Sequence, residues 1–132
     1  MRDYNKFLKE CGWYDKPFVM TEFGIGGIYG ENTFEANRWT EDYQTDMLEL
    51  AISQLSENPT VSGMYIWQFA DNRSCVKQEI GRPRGFNNKG ILDEYRRPKR
   101  AYRTVRALYG KALGREREHY KTVPYSYTGK KK

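Results

Sequence analysis

The sequence predicts an α/β fold built from strand–helix units of a parallel sheet, and three observations carry that prediction. Two apolar runs, Phe18-Val19-Met20-Thr21-Glu22-Phe23 and Val61 to Phe69, are too continuous for strands with one face in water. Between them Tyr43, Met47, Leu48, Ala51, Ile52 and Leu55 recur at the three- and four-residue spacing of an amphipathic helix. Each apolar run is followed by a glycine-rich or polar loop, the alternation expected of βα units.

Taken in order, Asn5 to Glu10 predicts the end of a short helix, closed by Cys11-Gly12. Lys16-Pro17 opens the first strand, which suits burial on both faces and ends in Glu22-Phe23. Gly24, Gly26, Gly27 and Gly30 then predict a flexible loop to about Arg38. Thr40 is a good N-cap, and Glu41 and Asp42 favour the positive end of the helix dipole. That helix should end near Asn58-Pro59, ahead of a second buried strand from Val61 to Phe69. Asp71 to Gly90 predicts a long polar loop and Ile91-Leu92 a short apolar spot. A last helix should start at Pro98, turn Ala101, Tyr102, Val105, Leu108 and Tyr109 inward, and stop at Gly110. Two strands cannot close a sheet, so the reading expects more chain upstream or a second piece to pair with.

Composition bounds the function. The 132 residues fit one domain, and 38% hydrophobic with 30% charged side chains is a globular mix. Aromatics reach 15%, which serves sugar stacking, base stacking or protein contacts equally well. The net charge of +6 is unevenly spread. Residues 111–132 hold seven Lys or Arg against two Glu, a net +5, leaving residues 1–110 nearly neutral. This reads as a basic tail on a neutral folded part, and argues against a nucleic-acid partner. Cys11 and Cys75 lie far apart and show neither a disulfide framework nor metal-ligand spacing. No apolar run approaches a membrane span, and the first residues lack the apolar core of a signal peptide, so the reading leans cytoplasmic. No metal site or dinucleotide fingerprint is present, and Gly24 to Gly30 lacks the Lys-Ser/Thr of a phosphate cradle. His119, the only histidine, lies in the tail and is read as uninvolved.

In α/β folds the reactive groups gather at the C-terminal ends of the strands. Glu22 ends the first strand, where its carboxylate could attack or stabilise an anomeric carbon, or simply face solvent or pair with an arginine. Trp67 ends the second, as an apolar wall for a pyranose ring or as core. Asp71 suits hydrogen bonds from sugar hydroxyls or a loop cap. Arg73, Lys77, Arg82, Arg84 and Lys89 surround Asn87, a cationic, donor-rich loop that suits an anionic group such as a carboxylate or else is a solvated surface.

Four segments together resemble the closing part of glycoside hydrolase family 2, and its β-glucuronidases above all. They are Lys16 to Gly24, Trp39 to Gln44, Tyr65 to Asp71, and Asn87 to Leu92 with Arg97-Pro98-Lys99. The resemblance runs in unbroken order over about residues 12–110. It implies the last two βα units of a (β/α)8 TIM barrel, preceded in the full protein by two β-sandwich domains. Residues 1–110 would then be the C-terminal part of that catalytic domain and 111–132 the basic tail. The family's Thr-Glu-Tyr-Gly nucleophile maps onto Glu22, with Phe23 in place of tyrosine, and its Trp-Asn-Phe-Ala-Asp segment onto Trp67 to Asp71, with Gln68 for asparagine. Its Asn-x-Lys grip on the sugar carboxylate maps onto Asn87 and Lys89, and a loop arginine onto Arg82 or Arg84.

The resemblance implies a retaining β-glycosidase acting on β-D-glucuronides through a covalent glycosyl-enzyme, with no cofactor and with a small-molecule glucuronide or uronic-acid glycan as partner. The family's acid/base glutamate follows an asparagine, and the sequence has no Asn-Glu dipeptide. The expectation is therefore a fragment, inactive alone and marginally stable with exposed strand edges. A related uronidase such as a β-galacturonidase, or a non-catalytic binding module, remains as an alternative. Homo-oligomer formation by the full-length enzyme is left open.

Overall fold

The structure, a computed structural model, describes residues 2–13, 16–74 and 81–122. Cys75, Lys77 and residues 130–132 lie outside them. The chain opens with helix α1 (Arg2–Glu10), which stops where Gly12 turns into the left-handed region at φ 69°. Strand β1 (Phe18–Phe23) follows, then helix α2 (Glu41–Glu57) and strand β2 (Val61–Ile66). A short antiparallel ladder of β3 (Asn72–Arg73) with β4 (Phe86–Asn87) and helix α3 (Arg100–Thr122) complete it.

α2 starts and stops where the sequence says. Thr40 is extended and its Oγ1 accepts from Tyr43 N at 3.1 Å, satisfying a first-turn donor that would otherwise have no partner. At the other end Asn58 closes the helix, and its Oδ1 takes both the amide and hydroxyl of Thr60, turning the chain directly into β2. Leu48, Ile52 and Leu55 form the buried stripe. Met47 is 38% exposed, whereas the polar Gln44 is fully buried.

β1 and β2 pair in parallel, matching Phe18 to Val61 and Met20 to Met64, so β1–α2–β2 is a βαβ unit. Phe23, Met64 and Ile66 rest on a core of Leu48, Ile52, Ala70, Ile91, Leu92, Ala101 and Val105 shared with α2 and α3. Burying each of the Leu, Ile and Val side chains among them contributes about 1.5–3 kcal/mol. Burial on both faces, expected from the apolar runs, is not what is found. Val19, Tyr65 and Trp67 stand exposed, because among the described residues helices cover only one side of a two-stranded sheet.

Three further expectations are corrected. β2 ends at Ile66 rather than Phe69, since beyond Trp67 the backbone turns to the segment before α3, with Gln68 N bonding Lys89 O and Leu92 N bonding Phe69 O. The segment from Asp71 to Gly90 is not all loop, because the β3–β4 ladder pairs Asn72 with Asn87. Gly110 does not stop α3, which continues to Thr122. The space around Gly110 is open, and good helix formers such as Lys111 and Ala112 follow it, offsetting the ~1 kcal/mol cost of an interior glycine. α3 has no acid in its own first turn. Glu41 from α2 supplies one, accepting the amide of Arg100 while its other oxygen takes Gly30 N at 2.7 Å.

Candidate active site

The C-terminal ends of β1 and β2 are tied at one point. Trp67 N donates to Phe23 O at 2.7 Å, so Glu22, exposed near the end of β1, and Trp67, 41% exposed just past β2, belong to the same rim. The crossing is tight enough to require glycine. A Cβ on Gly24 would lie 2.2 Å from the Trp67 carbonyl oxygen.

The next residue fastens the Asn87-x-Lys89 turn to that rim. Gln68 N donates to Lys89 O, and Gln68 O accepts from Ile91 N, both at 3.1 Å. Asn87 Oδ1 accepts Lys89 N at 3.2 Å, and the fully buried Asn88 donates to Pro83 O and Phe86 O at 3.1 Å each. The turn is thus built from inside by the residue between Asn87 and Lys89.

Two side chains absent from the sequence-derived site bind this turn to the loop after β1. Gln44 Nε2 donates to Ile25 O at 2.9 Å and Gly90 O at 3.1 Å. Lys99 Nζ donates to Gly27 O at 2.5 Å, Asn88 O at 3.1 Å and Asp71 Oδ1 at 2.8 Å. Both residues stand in the family-like segments, Trp39 to Gln44 and Arg97 to Lys99. Periodicity gave no sign of them, since a lysine beside Arg97 and Arg100 reads as solvated.

Asp71 is buried. Its Oδ1 holds Gly90 N at 2.9 Å as well as Lys99, while Oδ2 is buried without a protein partner. Of its two sequence readings, the contacts match the loop cap. Burial pushes the Asp71 carboxyl up, against the pull of the Lys99 hydrogen bond, and pushes the Lys99 ammonium down.

A pocket of about 590 Å³ opens beside the rim. Gly24, Ile25 and Gly26 line it together with Arg38, Trp39, Tyr43, Gly81, Arg82 and Lys89. Arg82 and Lys89 therefore come together as the sequence suggested, joined by an unanticipated Arg38. Arg84 does not line it. Its guanidinium makes a paired contact with Glu94 at 2.9 and 3.1 Å, which raises its own pKa and lowers that of Glu94. Glu22, Trp67 and Asn87 lie on the rim outside the pocket lining. Among the described residues no group of three or more His, Cys, Asp and Glu could hold a metal ion, and no helix is long and apolar enough to cross a membrane.

No family model matches the chain. A β-glucuronidase of Paenibacillus borealis is 36% identical over 101 residues, 74% of this chain and 16% of that protein. The human β-glucuronidase is 35% identical over 107 residues, 79% of this chain and again 16% of the relative. The chain thus spans about a sixth of the length of these curated relatives. Among solved structures, a family 2 β-galacturonidase from Eisenbergiella tayi bound to galacturonate superposes with a TM-score of 0.77 at 44% identity, covering 82% of this chain and 19% of that one. Sequence and three-dimensional likeness thus agree, and the chain belongs to glycoside hydrolase family 2, alongside its β-glucuronidases.

Proposed function

We propose that this chain carries the nucleophile and the sugar-acid grip of a retaining β-glycosidase that hydrolyses β-D-glucuronides. In this reading β1 and β2 are the last two strands of a (β/α)8 barrel, and Glu22 attacks the anomeric carbon while a second carboxyl protonates the leaving oxygen. The glycosyl–Glu22 ester is then hydrolysed by water that the same second group deprotonates. Retention requires the two carboxyls about 5–5.5 Å apart. The sequence lacks an Asn-Glu dipeptide, so the second carboxyl comes from a segment outside residues 1–132, and the chain alone turns over little or nothing. Trp67 forms a wall against the sugar ring. Lys89 and Asn87, joined by Arg82, hold the C6 carboxylate, and binding there orients the reacting carbon. Asp71 works from behind, through Lys99 and Gly90.

The observation that carries this reading is the pair of backbone ties, Trp67 N to Phe23 O and Gln68 N to Lys89 O, which join the Glu22 strand end to the Asn-x-Lys turn. The test supplies the chain with a family 2 upstream segment and assays a chromogenic glucuronide. Glu22→Gln should abolish turnover, and Lys89→Ala should cost about 10- to 100-fold more on the glucuronide than on the matching glucoside, as loss of a charged hydrogen bond predicts. Turnover surviving Glu22→Gln would falsify the nucleophile assignment, and equal losses on both sugars would remove the carboxylate role.

A second reading, hydrolysis of β-galacturonides, is supported by the likeness to the Eisenbergiella tayi enzyme, 44% identical over 82% of this chain. The ratio of kcat/KM on the two uronides decides between them.

A further inference from the structure

The loop after β1 carries a fully exposed phenylalanine, Phe34. A single exposed apolar side chain is ordinary on a protein surface. This one sits on a fastened tip. Thr33 Oγ1 donates to Glu35 O, Asn37 N donates to the same carbonyl at 2.8 Å, and Thr40 Oγ1 donates to Asn37 O at 2.7 Å. The ring is thus presented outward, with an apolar area of about 150–250 Å² that only another molecule can cover.

The same loop forms one wall of a cleft of about 410 Å³, separate from the pocket beside the rim. Tyr29, Gly30 and Asn32 face Pro98, Arg100 and Arg103 across it. Its walls are already set. The buried carboxylate of Asp93 holds the Arg97 guanidinium at 2.5 Å, and that guanidinium stacks over the Tyr29 ring at 4.2 Å. Glu41, the acid lining the cleft, has both oxygens engaged, by Gly30 N and Arg100 N.

Knob and hole carry opposite charge. Glu31 and Glu35 flank Phe34, both exposed and with no ion pair among the described residues. Arg103 in the cleft and Arg96, next to Arg97, are likewise exposed and free of carboxylate partners there. One molecule therefore bears both halves of a contact, only a few residues apart. That self-complementarity is what a two-fold interface between identical chains requires.

We propose that two copies of this chain associate about a two-fold axis, the Phe34 ring of each entering the Tyr29–Arg103 cleft of the other, with Glu31 and Glu35 against the partner's Arg103 and Arg96. The contact uses none of the residues assigned to catalysis.

The test is sedimentation velocity on the full chain through a dilution series at low salt. A reversible monomer–dimer equilibrium is expected, with no larger species at the upper limit. Phe34→Ser, at an exposed loop tip, should weaken it about 100-fold, because a two-fold contact loses the buried ring twice. Reversing the acids in Glu31→Lys with Glu35→Lys, or the cations in Arg96→Glu with Arg103→Glu, should each cost about tenfold through like-charge contacts. An equimolar mixture of those two double variants should regain wild-type strength, since each then meets its opposite. Circular dichroism matching the wild type confirms that every variant folds. A chain that stays monomeric throughout, a dimer indifferent to Phe34→Ser, or a mixture no stronger than its components overturns the proposal. So does association that Tyr65→Ser abolishes and Phe34→Ser does not, which assigns the contact to the open strand face.

Discussion

The Lys99 ammonium lies 2.8 Å from Asp71 Oδ1, and both side chains are completely withdrawn from water. With Gly27 O and Asn88 O also accepting, every proton of the ammonium is placed. A buried pair of this kind adds little net stability against its desolvation, but breaking it on one side leaves a stranded charge. What it contributes is position, because its three partners, Gly27 O, Asn88 O and Gly90 N, belong to the loop after β1 and the Asn-x-Lys turn, while Lys99 itself stands one residue before α3.

Lys99→Met should therefore destabilise the chain by about 3–5 kcal/mol, enough to unfold a marginal domain. Asp71→Asn combined with Lys99→Met removes the stranded charge and should recover a large part of the loss. Urea midpoints of the single and double variants check this. A double variant no more stable than Lys99→Met would refute the stranded-charge account.

Two glycines should respond oppositely to alanine. A Cβ on Gly90 would meet the backbone of Asp71, Ala70 and Leu92 at 2.2–2.4 Å, and no side chain can swing away to make room. Gly90→Ala should cost about 3 kcal/mol or more. Gly110 meets nothing within 4 Å inside α3, so Gly110→Ala should add about 0.5–1 kcal/mol. Thermal melts of the two variants should move in opposite directions.

The α2 cap gives a smaller effect. Thr40 Oγ1 accepts Tyr43 N and donates to Asn37 O at 2.7 Å. Thr40→Ala should cost about 1 kcal/mol, and Thr40→Ser much less, when urea denaturation is followed by far-ultraviolet circular dichroism.

Acid should act through the clip before α3. Burial alone would raise the Asp93 carboxyl, but the amides of Arg97 and Tyr95 and the Arg97 guanidinium at 2.5 Å outweigh it and hold it below its ordinary 3.8. Glu94 is likewise held below 4.5 by Arg84. A lowered folded pKa means that the unfolded chain takes up the proton first as acid is added. Their stabilisation is therefore full above about pH 4.5 and drains away as the pH falls below these ordinary values through the lowered ones. Asp93→Asn should flatten the acid limb of a stability–pH curve. An unchanged limb would place the acid sensitivity elsewhere.

What could be read from the sequence was local. Thr40, Glu41 and Asn58 announce the bounds of α2 because capping acts within a turn of the chain. The strand positions follow from apolar runs, but their burial does not, since it depends on what covers each face. The course of α3 past Gly110 turned on the open space around that glycine, which periodicity cannot see. Glu22, Asn87 and Lys89 stand out as candidates because they sit at strand ends or in a compact motif. Gln44, Lys99 and Arg38 escaped, because each acquires its partners from segments distant in sequence, and nothing in a lysine's neighbours reveals that it will be buried.

Tyr65, Trp67 and Phe69 stand 65%, 41% and 63% exposed at the end of β2 and just beyond it, above a two-stranded ribbon whose outer edges no further strand covers among the described residues. As a solute, such a molecule is adhesive. Backbone edges template further strands and aromatic faces favour contact with one another, so self-association competes with every property of the single chain. Because apolar attraction weakens on cooling, dilution and low temperature are the conditions under which a monomer would be observed.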